Sequence, residues 1–186
     1  MAVPRLGILI SGGGSTYANL ARAIAERELP AEIALVVASR PDAAGCEIAR
    51  RSGHPLAIAA DPEAVTAALV AQRVAWVAMC GWLKYWDPPP PFAGRTVNIH
   101  PSLLPAFGGP GLYGDRVHAA VLAARATESG CTVHLVAGGY DSGPIVAQSR
   151  VPVLPDDSVA TLRARVQAAE RDLYPRALAG LIAASP

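Results

Sequence analysis

Asn98 and His100 stand two residues apart in TVNIHPSLLP, residues 96–105, at the end of a short apolar run that Pro101 cuts off. Alternate side chains of a strand share a face, so the amide and the imidazole project together. An imidazole takes or gives a proton near neutral pH, and an amide N–H can hydrogen-bond an oxygen on which negative charge develops. Proline cannot extend a strand ladder, so Pro101 ends the strand and fixes the exit of the loop. A lone histidine is more often structural than catalytic. The Asn-x-His-Pro spacing is what makes the pair candidates for oxyanion and proton-transfer chemistry.

Three further stretches could join them. GGYDSGPIV, 138–146, sets Asp141 among glycines just ahead of an apolar run. Such a turn can reach another strand's tip, although Asp and Gly favour turns without any chemistry attached. SGGGST, 11–16, follows the first apolar run, and its glycines permit a tight turn and close backbone approach. The helix that follows offers unpaired N–H groups and the positive end of its dipole, and Ser15 and Thr16 add hydroxyls. This suits a phosphate, and it also reads as a plain glycine turn. A Walker A loop would need Lys at position 14, and a dinucleotide fingerprint would need glycine where Tyr17 stands. A phosphomonoester therefore fits better than ATP or NAD. Finally, CGWLKYWDP, 80–88, contains Trp82, Leu83, Tyr85 and Trp86. They read either as an aromatic lip able to stack a flat heterocycle or as a loop packing its rings into the core. His134 lies in strand-like TVHLV, His118 in a helix-like stretch and His54 before a proline; none is assigned a role.

Composition removes several alternatives. The 186 residues suit one full-sized domain, and 52% hydrophobic content supports a core without metal or disulfides. Net charge is +1 with the signs mixed, so the basic footprint of a nucleic-acid binder is missing. Cys46, Cys80 and Cys131 are widely spaced and odd in number, which argues against a disulfide framework or a thiolate zinc site. They read as small buried thiols. The N-terminal apolar run is too short for a signal peptide, and no stretch approaches the ~20 residues that span a bilayer. A soluble, cytoplasmic protein is expected.

The elements that must position these residues alternate. Leu6–Ile10, Glu32–Ser39, Pro55–Ala59, Val74–Cys80 and Thr96–Ile99 read as strands; helices are predicted over Ser15–Arg27, Ala43–Ser52 and Pro62–Gln72. That pattern is an α/β domain with a parallel sheet. CTVHLV (131–136) and PIVAQSRVPV (144–153) are joined closely enough to be antiparallel neighbours, which makes the sheet mixed at that end. A long amphipathic helix over Ser158–Ala184 should open on an Asp157 or Ser158 cap, and Pro175 should kink or split it near Tyr174.

Taken in order, SGGGS, CGWLK, NIHPSLLPAF and DSGPI closely resemble the phosphoribosylglycinamide formyltransferases of purine biosynthesis, from about Leu6 to Tyr174. NIHPSLLP with a downstream D-x-G-P belongs to the wider group of 10-formyltetrahydrofolate transferases and hydrolases. The glycine loop and VQAAERDLYP point to the glycinamide ribonucleotide branch. The resemblance implies a single Rossmann-like formyltransferase domain over 1–186, with a mostly parallel mixed sheet flanked by helices. It implies direct formyl transfer from 10-formyltetrahydrofolate, as co-substrate, to the amine of glycinamide ribonucleotide, with Asn98, His100 and Asp141 as the catalytic set and no metal. Phosphate should sit on Gly14, Ser15 and Thr16, the amine side should meet Glu170, and the pterin should lie against Leu83, Lys84, Tyr85 and Trp86, with Asn98 also on the folate side. Neither nucleic acid nor membrane is expected as a partner, and a monomer or homodimer is.

Some positions depart from that family's pattern. Thr16 stands where Asn is common, and the segment before Val74 lacks a Ser-Arg loop that helps hold folate. AFGGPGLYGDRVH is the longer variant of its loop, so no substrate contact is carried onto 106–118. A methionyl-tRNA formyltransferase would bring a further C-terminal domain and basic surface; a formyltetrahydrofolate hydrolase would bring an N-terminal regulatory domain. A non-catalytic phosphate-binding module would not need Asn98, His100 and Asp141 together. A nicotinamide dehydrogenase would need an acidic residue where Arg40 and Pro41 follow the second strand.

Overall fold

The computed structural model describes residues 3–185. Five strands pair in parallel: β1 (Arg5–Ile10), β2 (Glu32–Ala38), β3 (Leu56–Ile58), β4 (Trp76–Met79) and β5 (Thr96–His100). β6 (Glu128–Leu135) and β7 (Ile145–Pro152) extend the sheet antiparallel, giving the order β3-β2-β1-β4-β5-β6-β7. The helices are α1 (Ser15–Ala25), α2 (Gly45–Arg51), α3 (Pro62–Ala71), α4 (Asp115–Ala123) and α5 (Val159–Ala184). The mixed α/β sheet expected from the alternation is present. Strand β6 starts three residues ahead of its predicted beginning, because Gly130 belongs in the strand: a Cβ there would lie 2.0 Å from the Ser149 carbonyl oxygen.

Burial explains the near-continuous apolar runs. On β1, Leu6, Ile8 and Ile10 face one core cluster with Tyr17, Leu20, Tyr174 and Leu178, while Leu9 faces a second with Val65 and Leu69. Alternation on β2 and β4 divides the same way, with Val36 and Trp76 on the first side, Val37 and Val77 on the second. A parallel sheet covered on both faces has no polar side to show in its sequence. The three cysteines are free and buried.

Helix α5 answers one half of an expectation, since Pro175 does not split it. It opens on Ser158, whose hydroxyl accepts from the Thr161 N–H while the Thr161 hydroxyl accepts from the Ser158 N–H, a capping box. It then runs unbroken through Pro175. Proline withholds the N–H that the Arg171 carbonyl would accept, and the side chain of Asn19 on α1 supplies it instead, at 2.9 Å. One turn away, the Tyr174 hydroxyl is buried between the carbonyls of Met79 (3.1 Å) and Val97 (2.9 Å), tying α5 to β4 and β5.

Candidate active site

Strand β5 delivers Asn98 and His100 at its carboxyl end, the edge at which open α/β sheets take ligands. On its antiparallel neighbour, His134 lies directly opposite Asn98 and Thr132 opposite His100. Cross-strand partners share a face at close range. The Asn98 amide nitrogen accordingly lies 3.1 Å from His134 Nε2, while His134 Nδ1 lies 2.9 Å from the Leu135 carbonyl. A carbonyl only accepts, so Nδ1 carries the donated proton, and Nε2 stands within reach of both the Asn98 amide and Asp141. The second N–H of that amide is left for a ligand.

Asp141 arrives from the turn between β6 and β7, in a left-handed conformation (φ 53°) that the flanking glycines help the chain reach. Its Oδ2 accepts from the Gly109 N–H at 2.9 Å and lies 3.4 Å from His100 Nδ1; its Oδ1 lies 3.6 Å from His134 Nε2. Burial alone would raise this carboxyl, but the His134 ring, the charge of His100 and the Gly109 N–H hold it below the usual aspartate value. Burial lowers His100 below an ordinary histidine, opposed by Asp141 and by its bond to Phe107. That bond runs from Nε2 to the Phe107 carbonyl at 2.9 Å. Phe107, also left-handed (φ 56°), sits in the glycine-rich loop before α4, so this loop touches both His100 and Asp141.

A cavity of about 290 Å³ opens beside these groups. Its wall includes Asn98, His100, Asp141 and His134, with Leu83, Lys84, Tyr85 and Trp86 on one side and Thr16, Gln167 and Glu170 on another. The aromatic lip is only half realised. Trp82 and Trp86 are buried and pack in the core beneath the loop, where Trp86 stacks tilted on Phe92 and donates to the Thr66 hydroxyl. Leu83 and Tyr85 are the exposed pair, and Tyr85 meets Tyr140 edge to face at 5.5 Å. Lys84, the only lysine among the chain's 16 Lys and Arg residues, is exposed on this wall.

The glycine loop leaves the N–H groups at the start of α1 without helical partners. Gly14 caps α1 at φ 77° with no side-chain bond, and its carbonyl accepts first from Ala18, so the N–H groups ahead of Ala18 lie outside the helix ladder. A Cβ on Gly14 would stand 2.7 Å from Gly45 Cα, a second reason for glycine. Ser15, Thr16, Gln167 and Glu170 share a smaller adjoining cavity of about 30 Å³. Burial pushes the Glu170 carboxyl up to about 7, with Arg171 pulling the other way.

Two residues without an assigned role enter the site. His134 pairs with Asn98 through strand register, which no local pattern encodes. His118, in the first turn of α4, is buried against the cavity, and its Nδ1 has no hydrogen-bond partner among the described residues. His54 instead serves the fold, at 2.6 Å from the Tyr17 hydroxyl. Thr132 was also silent in the sequence: its hydroxyl donates to the Ser102 carbonyl and accepts from the Leu104 N–H and Gln148, pinning the loop after β5. Among the described residues, no group of three or more His, Cys, Asp or Glu is placed to hold a metal, and no helix is long and apolar enough to cross a membrane.

Known proteins are similar to this chain in sequence and fold. A family model described as formyl transferase matches residues 4–178. The chloroplastic phosphoribosylglycinamide formyltransferase of Arabidopsis thaliana is 36% identical over 182 residues, covering 91% of this chain and 62% of that protein. The chain thus spans about three fifths of the length of that chloroplastic relative. The phosphoribosylglycinamide formyltransferase of Mycobacterium tuberculosis is 40% identical over 192 residues, covering 97% of this chain and 86% of that one. Among solved structures, the phosphoribosylglycinamide formyltransferase from Brucella melitensis superposes with a TM-score of 0.87 at 39% identity, over 100% of this chain and 98% of that one.

Proposed function

Because the chain belongs to the formyl transferase family, we propose that it moves a formyl group from 10-formyltetrahydrofolate to the primary amine of glycinamide ribonucleotide, a step of purine biosynthesis. The observation that carries this reading is the convergence of Asn98, His100 and Asp141 on one cavity, between an apolar wall and a polar one that ends at an open helix N-terminus. The two substrates differ in just this way: one is a flat heterocycle, the other a phosphate ester.

The apolar wall suits the folate. Leu83 gives its N–H to Ser11, and the backbone groups of Lys84, Tyr85 and Trp86 make no hydrogen bond among the described residues, so they can read the donors and acceptors of a heterocycle. Trp82 adds a buried indole N–H that has no partner among the described residues. The folate supplies the formyl group. On the polar wall, Gly14, Ser15 and Thr16 hold the phosphate and Glu170 meets the amine side.

At the reacting carbon the amine attacks, and negative charge gathers on the formyl oxygen. Asn98 donates its free amide N–H to that oxygen. His100 contributes from Nε2, exchanging the Phe107 carbonyl for the oxygen as the loop yields. The ring is fully partnered only as an imidazolium, with Nε2–H on an oxygen and Nδ1–H facing Asp141. Asp141 thereby favours the charged form that burial disfavours. As the C–N10 bond breaks, the proton His100 holds can pass to the departing folate nitrogen, and the proton lost by the attacking amine restores the imidazolium. Neither a covalent enzyme intermediate nor a metal takes part in this route.

The test is to supply 10-formyl-5,8-dideazafolate and glycinamide ribonucleotide and follow release of the deformylated product by absorbance. Turnover that requires both compounds is expected. Product release without the amine acceptor would mean a hydrolase, and no release under any condition would defeat the proposal.

A further inference from the structure

Asn19 lies on α1 one turn beyond Ser15, buried at 7% exposure. Its Nδ2 donates to the Arg171 carbonyl at 2.9 Å, the acceptor that Pro175 leaves empty inside α5. Arg22 Nη2 lies 3.4 Å from Asn19 Oδ1, which fixes the end of the amide turned toward α5. This bond joins the two helices at the place where Ser15 and Thr16 face Gln167 and Glu170 across the smaller cavity. Proline without a substitute donor would leave a carbonyl unsatisfied between packed helices, and the wall of α5 would be free to shift.

We propose that Asn19 is a positioning residue for the substrate: by giving the Arg171 carbonyl the donor that Pro175 withholds, it sets the distance between the anion loop at Ser15–Thr16 and the Gln167–Glu170 wall of α5. The inference rests on reading that loop as the phosphate anchor and Glu170 as the amine-side contact. A ligand anchored at one end and read at the other depends on this distance, whereas a ligand on the Leu83–Trp86 wall does not.

A double-mutant cycle tests it. Asn19→Ala should raise KM for glycinamide ribonucleotide about tenfold while KM for the folate and kcat stay within about twofold. Pro175→Ala restores a helical N–H for the Arg171 carbonyl, so in that background Asn19→Ala should cost about threefold or less. Asn19→Asp keeps the shape but has no N–H to give, and should reproduce the loss whether or not the Pro175 variant folds. Melting of the same set should show Asn19→Ala lowering Tm by about 3 °C more in the wild-type background than beside Pro175→Ala. Equal losses in both backgrounds, or folate KM rising with that of the ribonucleotide, would overturn the inference. Wild-type protein without turnover overturns the functional reading and the substrate half of this one; turnover with additive effects overturns the inference alone.

Discussion

Asp141 Oδ2 stands 3.4 Å from His100 Nδ1, across the gap between the β6–β7 turn and the tip of β5. The imidazole is 4% exposed, so the carboxylate is its principal counter-charge, and water can do little to replace it.

Asp141→Asn keeps the shape and removes that charge. Turnover should fall by about 10²- to 10⁴-fold, the range for loss of positioned acid–base help. Binding of a non-reactive folate analogue, measured by titration calorimetry, should change only a few-fold. His100→Ala should lose a comparable factor. Near-normal rates in either variant would remove it from the mechanism.

The histidines make the fold sensitive to acid. Burial is the leading cause that lowers both His100 and His118 below 6.5; Asp141 opposes it at His100 and Asp115 at His118, where Arg163 adds to it. A group depressed in the folded state contributes stability that is whole above its unfolded pKa and drains away as pH falls through the folded one. The histidine contribution to Tm should therefore hold above pH 6.5 and decline below it. His118→Gln should flatten part of that decline. An identical slope in the variant would exclude His118 as a contributor.

Glu170 works in the opposite sense. Its carboxyl is raised from 4.5 to about 7 by burial, so its contribution is intact below 4.5 and lost as pH rises through 7. The loss is at most about 3 kcal/mol. Glu170→Gln should stabilise the ligand-free protein at pH 8 but not at pH 4.5, while weakening glycinamide ribonucleotide binding. Scanning calorimetry at the two pH values decides it, and a gain of equal size at both would contradict the burial argument.

Tyr174→Phe removes a hydroxyl shared by the Met79 and Val97 carbonyls and leaves the ring in place. The expected cost is about 1–3 kcal/mol, with the site still assembled. Denaturant unfolding should show a lower midpoint at unchanged slope. No change would mean that the two carbonyls find other partners.

The parts of the site governed by short-range rules were readable in the sequence. Period-two geometry put Asn98 and His100 on one face, and glycine punctuation placed the loop that opens α1. His134 was not readable, because its role comes from the β5–β6 register, set by pairing across 36 positions of chain. The aromatic loop stayed open between two readings for another reason. Trp82 and Tyr85 are both aromatic to a pattern, yet the indole finds a core to enter and the phenol does not. Pro175 does not split α5, and the carbonyl it leaves without a helical donor is met by a side chain from a distant helix, which no local rule reads.

The single lysine has a practical side. Positive side-chain charge elsewhere in the chain is carried by arginine, which amine-directed reagents leave alone at mild pH. Besides the α-amine, Lys84 is the one position such a reagent can reach, and it stands on the wall of the cleft. An environment-sensitive dye can thus be attached at the cleft through this one side chain, and its emission will follow the arrival and departure of ligands.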